Sequence, residues 1–170
     1  MNNRRKGNSF ELEVAKQILA TVGPAYDGED CRRTPSSGGQ RFGDRGDLVI
    51  SNRLFRRFPF VVECKHWKKW RPGFMLMPTK IELDWLEQAT KANARSKRPS
   101  TPMLIMRGDR QEAWCAAPRF VLRQFLLNGS GDLYCVFPYA NVRWLLVPWA
   151  RALEALRLRK LPFVPPPTRT

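Results

Sequence analysis

The sequence predicts a single α/β domain built on a mixed β-sheet flanked by helices. Three observations carry this. Apolar residues recur at helical spacing near both ends of the chain, short runs rich in Val, Ile and Phe lie between them, and Gly, Pro and polar clusters punctuate the runs. The 170 residues, 43% of them hydrophobic, suffice for one globular domain with a real core. That domain is read as residues 1–161, with its core at about 4–118 and a C-terminal helical extension over 119–161. Residues 162–170 form a Pro-rich tail, extended or disordered.

Taken in order, a basic arm (Arg4, Arg5, Lys6) leads into a helix over 9–22. Phe10, Val14, Ile18 and Val22 mark its apolar face, and Gly23-Pro24 ends it. Residues 30–34 predict a short strand, and the Gly-, Ser- and Arg-rich loop that follows ends at Asp47. Strands are predicted at 47–51 and 59–66, joined by the basic turn N-R-L-F-R-R-F. The polar-aromatic stretch from His66 to Pro78 reads as a loop or flap. Thr79-x-x-Glu82 is a capping-box signature opening a helix to about residue 96, with Ile81, Trp85, Ala89 and Ala92 facing inward. Strands at 102–107 and 113–118, a helix near 118–127 and an amphipathic helix over 148–160 complete the order α-β-β-β-α-β-β-α-α.

Charge narrows the function. Thirty basic against fifteen acidic residues leave a net charge of +15, which favours a polyanionic partner, nucleic acid before a membrane surface. Between residues 31 and 80 there are twelve Lys or Arg against three acids, so the excess is concentrated. Arg32, Arg33, Arg41 and Arg45, with Lys68, Lys69 and Arg71, would line a nucleic-acid-binding face together with the arm residues Arg4, Arg5 and Lys6. Trp67 and Trp70 would stack on bases or pack on the sugar backbone. Four dispersed cysteines and a single histidine argue against a zinc site and for reduced core thiols in an intracellular protein. The N-terminus lacks an apolar signal region, and no run is long enough to span a bilayer.

The candidate chemistry lies in two strands. In F-V-V-E-C-K, alternation puts Glu63 and Lys65 on one face and Val62 and Cys64 on the other, so two charges interrupt an apolar strand. Asp47 precedes Glu63 by fifteen intervening residues, at the start of the neighbouring strand. Hydrolysis of a phosphodiester needs a divalent cation held by oxygen ligands, and Asp47 and Glu63 are two such ligands, with the Lys65 ammonium beside the same phosphate or water. The plainer alternative is an exposed Glu-Lys pair on an edge strand. Glu11 shares a helix face with Val14, Ala15, Ile18 and Val22, whereas Glu13 falls on the solvated side. Asn8-x-x-Glu11 is also a possible capping box, which would give Glu11 a local role instead.

These motifs in this order, K-G-x-x-x-E (Lys6, Gly7, Glu11), S-G-G (Ser37 to Gly39), G-D-L-V-I and E-C-K, resemble the PD-(D/E)XK nuclease superfamily. Order and spacing are most similar to its archaeal-type Holliday junction resolvase branch, which also occurs in phages, and the likeness covers roughly residues 4–107. The resemblance implies a restriction-endonuclease-like core and a Mg²⁺ centre, with Mn²⁺ as possible substitute. Glu11, Asp47, Glu63 and the Cys64 carbonyl would be metal ligands, and Lys65 would act on the water. It also implies a role for Ser37 near the scissile phosphate, for which a plain turn is the alternative. Gln88 resembles a glutamine that related nucleases carry on this helix; a glutamine bonded to backbone is the alternative. Gly46 stands where the motif has proline, a change expected to cost little, and Asp44 competes with Asp47 as the loop acid. His66 reads as a strand-end residue.

The expected activity is therefore that of a Mg²⁺-dependent endonuclease that cuts branched DNA, with four-way junctions as the expected substrate. Two symmetric cuts imply a homodimer, with residues 144–146 or the last helix as candidate contacts. The rival readings are a restriction- or repair-type nuclease on linear duplex and a non-catalytic DNA-binding protein.

Overall fold

Alternation along one strand organises the molecule. In the strand Phe60–His66, Val62 and Cys64 join one buried apolar cluster, while Glu63 and Lys65 turn to the opposite face. The computed structural model describes residues 3–35, 46–126 and 135–158, with residues 3–6 placed by backbone alone. Its elements run α1 (Asn3–Val22), β1 (Cys31–Arg33), β2 (Leu48–Ile50), α2 (Asn52–Phe55), β3 (Phe60–His66), α3 (Lys80–Ala94) and β4 (Thr101–Arg107). Then come β5 (Trp114–Pro118), α4 (Arg119–Phe125), β6 (Cys135–Tyr139), β7 (Val142–Pro148) and α5 (Trp149–Leu158). This is the expected α/β architecture, a mixed sheet flanked by helices.

Five strands lie in the order β3-β4-β5-β7-β6, with β3 and β4 parallel and the other pairs antiparallel. The connection from β3 to β4 runs through α3, as a parallel pair requires a crossover. β1 and β2 form a separate antiparallel pair, Cys31 opposite Ile50 and Arg33 opposite Leu48. One apolar layer joins α1, α4 and α5 to the sheet through residues such as Phe10, Ile18, Phe58, Phe60, Ile105, Phe125 and Leu156. The other packs α3 and the loop after β3 on the reverse face, through Trp70, Met75, Leu86, Leu104, Met106 and Trp144. Each fully buried side chain of this size contributes about 1.5–3 kcal/mol. Among the described residues no helix is long and apolar enough to cross a membrane. All four cysteines are free, and three of them are buried.

Several expectations are corrected. Residues 119–158 are not a helical extension, because β6 and β7 complete the sheet beyond β5. Their turn, Ala140-Asn141, has both residues at positive φ (49° and 62°), a tight hairpin without the Asn-Gly pair that would advertise it. Trp144, Leu145 and Leu146 are buried in β7 and are not free for a dimer contact. The turn before β3 contains α2, capped by Ser51, whose hydroxyl accepts from Leu54 N–H at 3.2 Å. The capping box at Thr79 is present, but α3 is rotated from its expected orientation: Glu82, Leu86, Ala89 and Ala92 face inward, and Ile81 is exposed. The Pro-rich tail lies outside the described residues.

Much of the basic excess proves structural. Arg53 pairs with Asp30 and lies over the Tyr26 ring, and its hydrogen bonds, then the one that the Ser51 hydroxyl donates, hold the Asp30 carboxyl down at about 2. Arg57 reaches the carbonyls of Val22 and Leu156, and Arg98 that of Ile50. Arg107 covers Phe10 and pairs with Glu13 at 2.6 Å, which gives Glu13 a structural partner.

Candidate active site

The site forms because β2 starts beside β3 and then leaves it. Gly46 and Val62 make an isolated parallel bridge, and Asp47 N–H donates to Val62 O at 2.7 Å. From Leu48 onward the chain turns to β1, opening a fork along the exposed edge of β3. The Asp47 side chain fills that fork and takes the place of a neighbouring strand: Cys64 N–H donates to Asp47 Oδ2 at 2.7 Å. In a strand, the N–H and C=O of one residue point to the same side, so the Cys64 carbonyl faces this open edge too.

Gly46 is required for the fork. Its φ is +68°, and a Cβ there would sit 2.3 Å from Val62 O. Proline, locked near −65°, cannot adopt this conformation. The glycine in place of the motif's proline is therefore an obligate part of this backbone, a firmer conclusion than its residue type alone allowed.

Three carboxylates meet electrostatically at the fork. Burial, then the charges of Glu63 and Glu11, push the Asp47 carboxyl up to about 8, against the Cys64 N–H and Lys65, which pull it down. Glu11 is buried on α1 and accepts from Arg33 Nε at 2.5 Å, while Arg33 Nη2 also donates to Asn8 Oδ1 at 2.8 Å. Because α1 begins at Asn3, Asn8 lies inside the helix, and the capping-box alternative for Glu11 falls away. On the other face of β3, Lys65 Nζ donates to Glu63 Oε1 and to Gln88 Oε1, both at 2.7 Å.

Hydrogen bonds thus link Asp47 to Cys64 and join Glu63, Lys65 and Gln88, while Glu11 reaches the set through its charge on Asp47. Gln88 is exposed and accepts from Lys65 Nζ, a bond that ties the ammonium to α3. Replacing Gln88 by alanine is expected to lower cleavage about 10- to 100-fold by loosening Lys65, with the melting temperature unchanged, as steady-state assays and thermal melts would show. Ser37, Asp44, Arg41 and Arg45 lie outside the described residues, as do the side chains of Arg4, Arg5 and Lys6. Arg33 does not face solvent as a DNA-contacting residue; it turns inward onto Glu11. The signal was present in C-R-R, where alternation groups Arg33 with buried Cys31 and leaves Arg32 outside, 3.6 Å from Glu29. Lys68, Lys69 and Arg71 are exposed after β3. Trp70 is wholly buried and unavailable for stacking, and Trp67 packs against Phe74 and Trp85. His66 ends its strand with Nε2 2.9 Å from Asp109 Oδ1, a structural contact.

As placed, no three His, Cys, Asp or Glu side chains among the described residues are close enough together to hold a metal ion. Glu11 is turned to Arg33 and Glu63 to Lys65, so protein cations sit where a metal's charge would act. The donor chemistry nevertheless fits a hard divalent cation: buried carboxylates that repel one another, beside an open-edge carbonyl.

A mixed sheet flanked by helices, with an acid-acid-lysine set at its open edge, defines the PD-(D/E)XK class of nucleases. Residues 2–126 match the family described as "Phage putative PDDEXK endonuclease", and the chain belongs to that family of endonucleases. No curated protein and no solved structure matches the chain. Membership makes DNA the substrate polymer.

Proposed function

We propose that this endonuclease is Mg²⁺-dependent and cuts branched DNA, with four-way junctions as substrate and two copies acting as a homodimer. The observation that carries the catalytic part is Asp47 held in the fork of β2 and β3, beside Glu63 and Lys65. Glu11, Asp47, Glu63 and the Cys64 carbonyl would hold the ion. When bound, Mg²⁺ (or Mn²⁺) supplies charge neutralisation at the phosphate and a water that ionises near neutral pH. Asp47 would lose its proton to hold the ion, and Arg33, bonded to Glu11 and Asn8, would keep the Glu11 carboxylate oriented beside it. Lys65, held between Glu63 and Gln88, orients the attacking water or stabilises the charge that develops on the phosphate. The junction preference rests on motif order and spacing, and the dimer on the need for two symmetric cuts.

The test is cleavage of a synthetic four-way junction against its matched linear duplexes, with and without Mg²⁺. The expected result is paired, metal-dependent nicks near the branch. Equal cutting of linear duplex would replace the junction reading with a restriction- or repair-type activity, and binding without cutting in either metal would sink the catalytic one. Binding should also weaken by at least about 100-fold between 50 and 200 mM salt if several phosphates are neutralised.

A further inference from the structure

We propose that the segment between β3 and α3 is an apolar wedge that enters DNA where base stacking is already broken, so that it reads the branch point; this rests on the nuclease reading above. Three apolar side chains project from it: Phe74 is 36% exposed, Leu76 54% and Met77 85%. They stand on a firm base. Trp70 and Met75 are wholly buried beneath them, a single 3₁₀ turn spans Pro72–Met75, and Trp67 packs its ring against Phe74. On the far side the Thr79–Glu82 capping box closes the segment onto α3, Thr79 N–H donating to Glu82 Oε2 at 3.0 Å. Rigid backbone with apolar tips in solvent, on so charged a chain, marks a contact surface rather than a stray exposed residue.

Charge chooses the partner. No acid occurs from Cys64 to Ile81, while Lys65, Lys68, Lys69, Arg71 and Lys80 all fall there. An apolar tip on a segment whose own charges are all cationic suits a polyanion that also has an apolar interior, which is stacked nucleic acid. Position fits as well. Lys80 opens α3 and Gln88, the partner of Lys65, lies eight residues on. Eight helical residues span about 12 Å, which places the end of the segment within a single duplex turn of about 34 Å from Gln88 and the Lys65 ammonium bonded to it. Parting stacked bases costs energy in an intact duplex and little at a branch, which would bias the enzyme toward junctions.

The experiment uses the full chain with Leu76 and Met77 both changed to serine (L76S and M77S), an exposed pair whose loss should not disturb the core. Junctions carrying single 2-aminopurines at successive positions from the branch are titrated in Ca²⁺, and cleavage is assayed separately in Mg²⁺. Wild-type protein should raise 2-aminopurine emission several-fold at one or two positions. The double variant should lose that rise and cut junctions at least 10-fold more slowly, with an unchanged salt slope. Undiminished emission and cutting in the double variant would overturn the wedge. So would normal junction cutting by wild-type protein with no emission change anywhere, and that result would leave the nuclease reading standing. A wild-type dimer that the double variant dissociates, seen by sedimentation, would assign the patch to a second copy and overturn the wedge. Failure of wild-type protein to bind or cut any DNA would overturn both.

Discussion

Asp47→Asn is expected to lower Mg²⁺-dependent cleavage by about 10³-fold or more while making the metal-free protein more heat-stable at pH 8. The first effect follows from removing the central anionic ligand of the proposed centre. The second follows from electrostatics. Asparagine keeps an oxygen to accept the Cys64 N–H but removes the charge that burial, Glu63 and Glu11 all oppose. The sign is explicit. The Asp47 carboxyl titrates near 3.8 in the unfolded chain and at about 8 in the fold. Between those values the folded state holds a proton that the unfolded state has lost, so stability declines as pH rises through the interval. The wild-type melting temperature in EDTA should therefore fall from pH 5 to pH 9 more steeply than that of the variant. Mg²⁺ should restore more of it at pH 8 than at pH 6, because binding displaces the proton, and should do nothing for Asp47→Asn. Parallel melting profiles for the two proteins would show that Asp47 is not the strained carboxyl of the site.

Among the described glycines, Gly46 should be the one where an added methyl group (Gly46→Ala) does most damage. A non-glycine residue at φ +68° carries backbone strain of about 1–2 kcal/mol, and the new Cβ, 2.3 Å from Val62 O, would force the bridge apart. The expected destabilisation is about 2–4 kcal/mol, read from the shift in urea midpoint. The fraction that still folds should cut poorly, because the Asp47 N–H is bonded to the same Val62 carbonyl that must move. Gly23, also at positive φ (93°) but with nothing within 4 Å of its Cβ position, provides the control. If Gly23→Ala costs as much as Gly46→Ala, the close approach to Val62 is not what matters.

Local periodicity revealed a good deal of this molecule. The inward face of α1, with Glu11 among Val14, Ile18 and Val22, follows from spacing alone, as do the alternation of β3 and the capping box of α3. The orientation of α3 did not. Its Ile81 looks like a core residue because it is apolar, but it is exposed, and uncharged packing is left to Leu86, Ala89 and Ala92. The β6–β7 hairpin escaped notice because its turn is Ala-Asn and because β7, buried on both sides between β5 and β6, reads as a continuous apolar run, equally suited to a helix. Trp70 looked like a stacking platform in a basic stretch; only its neighbours in space show it to be core.

The sequence by itself determined the class of fold, the acid-acid-lysine set and its family resemblance, because strand alternation, helix spacing and motif order are properties of short stretches. Only the tertiary structure decided where those groups point. Asp47 meets Cys64 across seventeen positions and Glu11 meets Arg33 across twenty-two, and neither contact leaves a periodic trace. A fork between two strands exists only when a third, here β1, draws one of them away. That competition for backbone hydrogen bonds makes the cleft that Asp47 fills, and it is settled between segments that are distant in the chain.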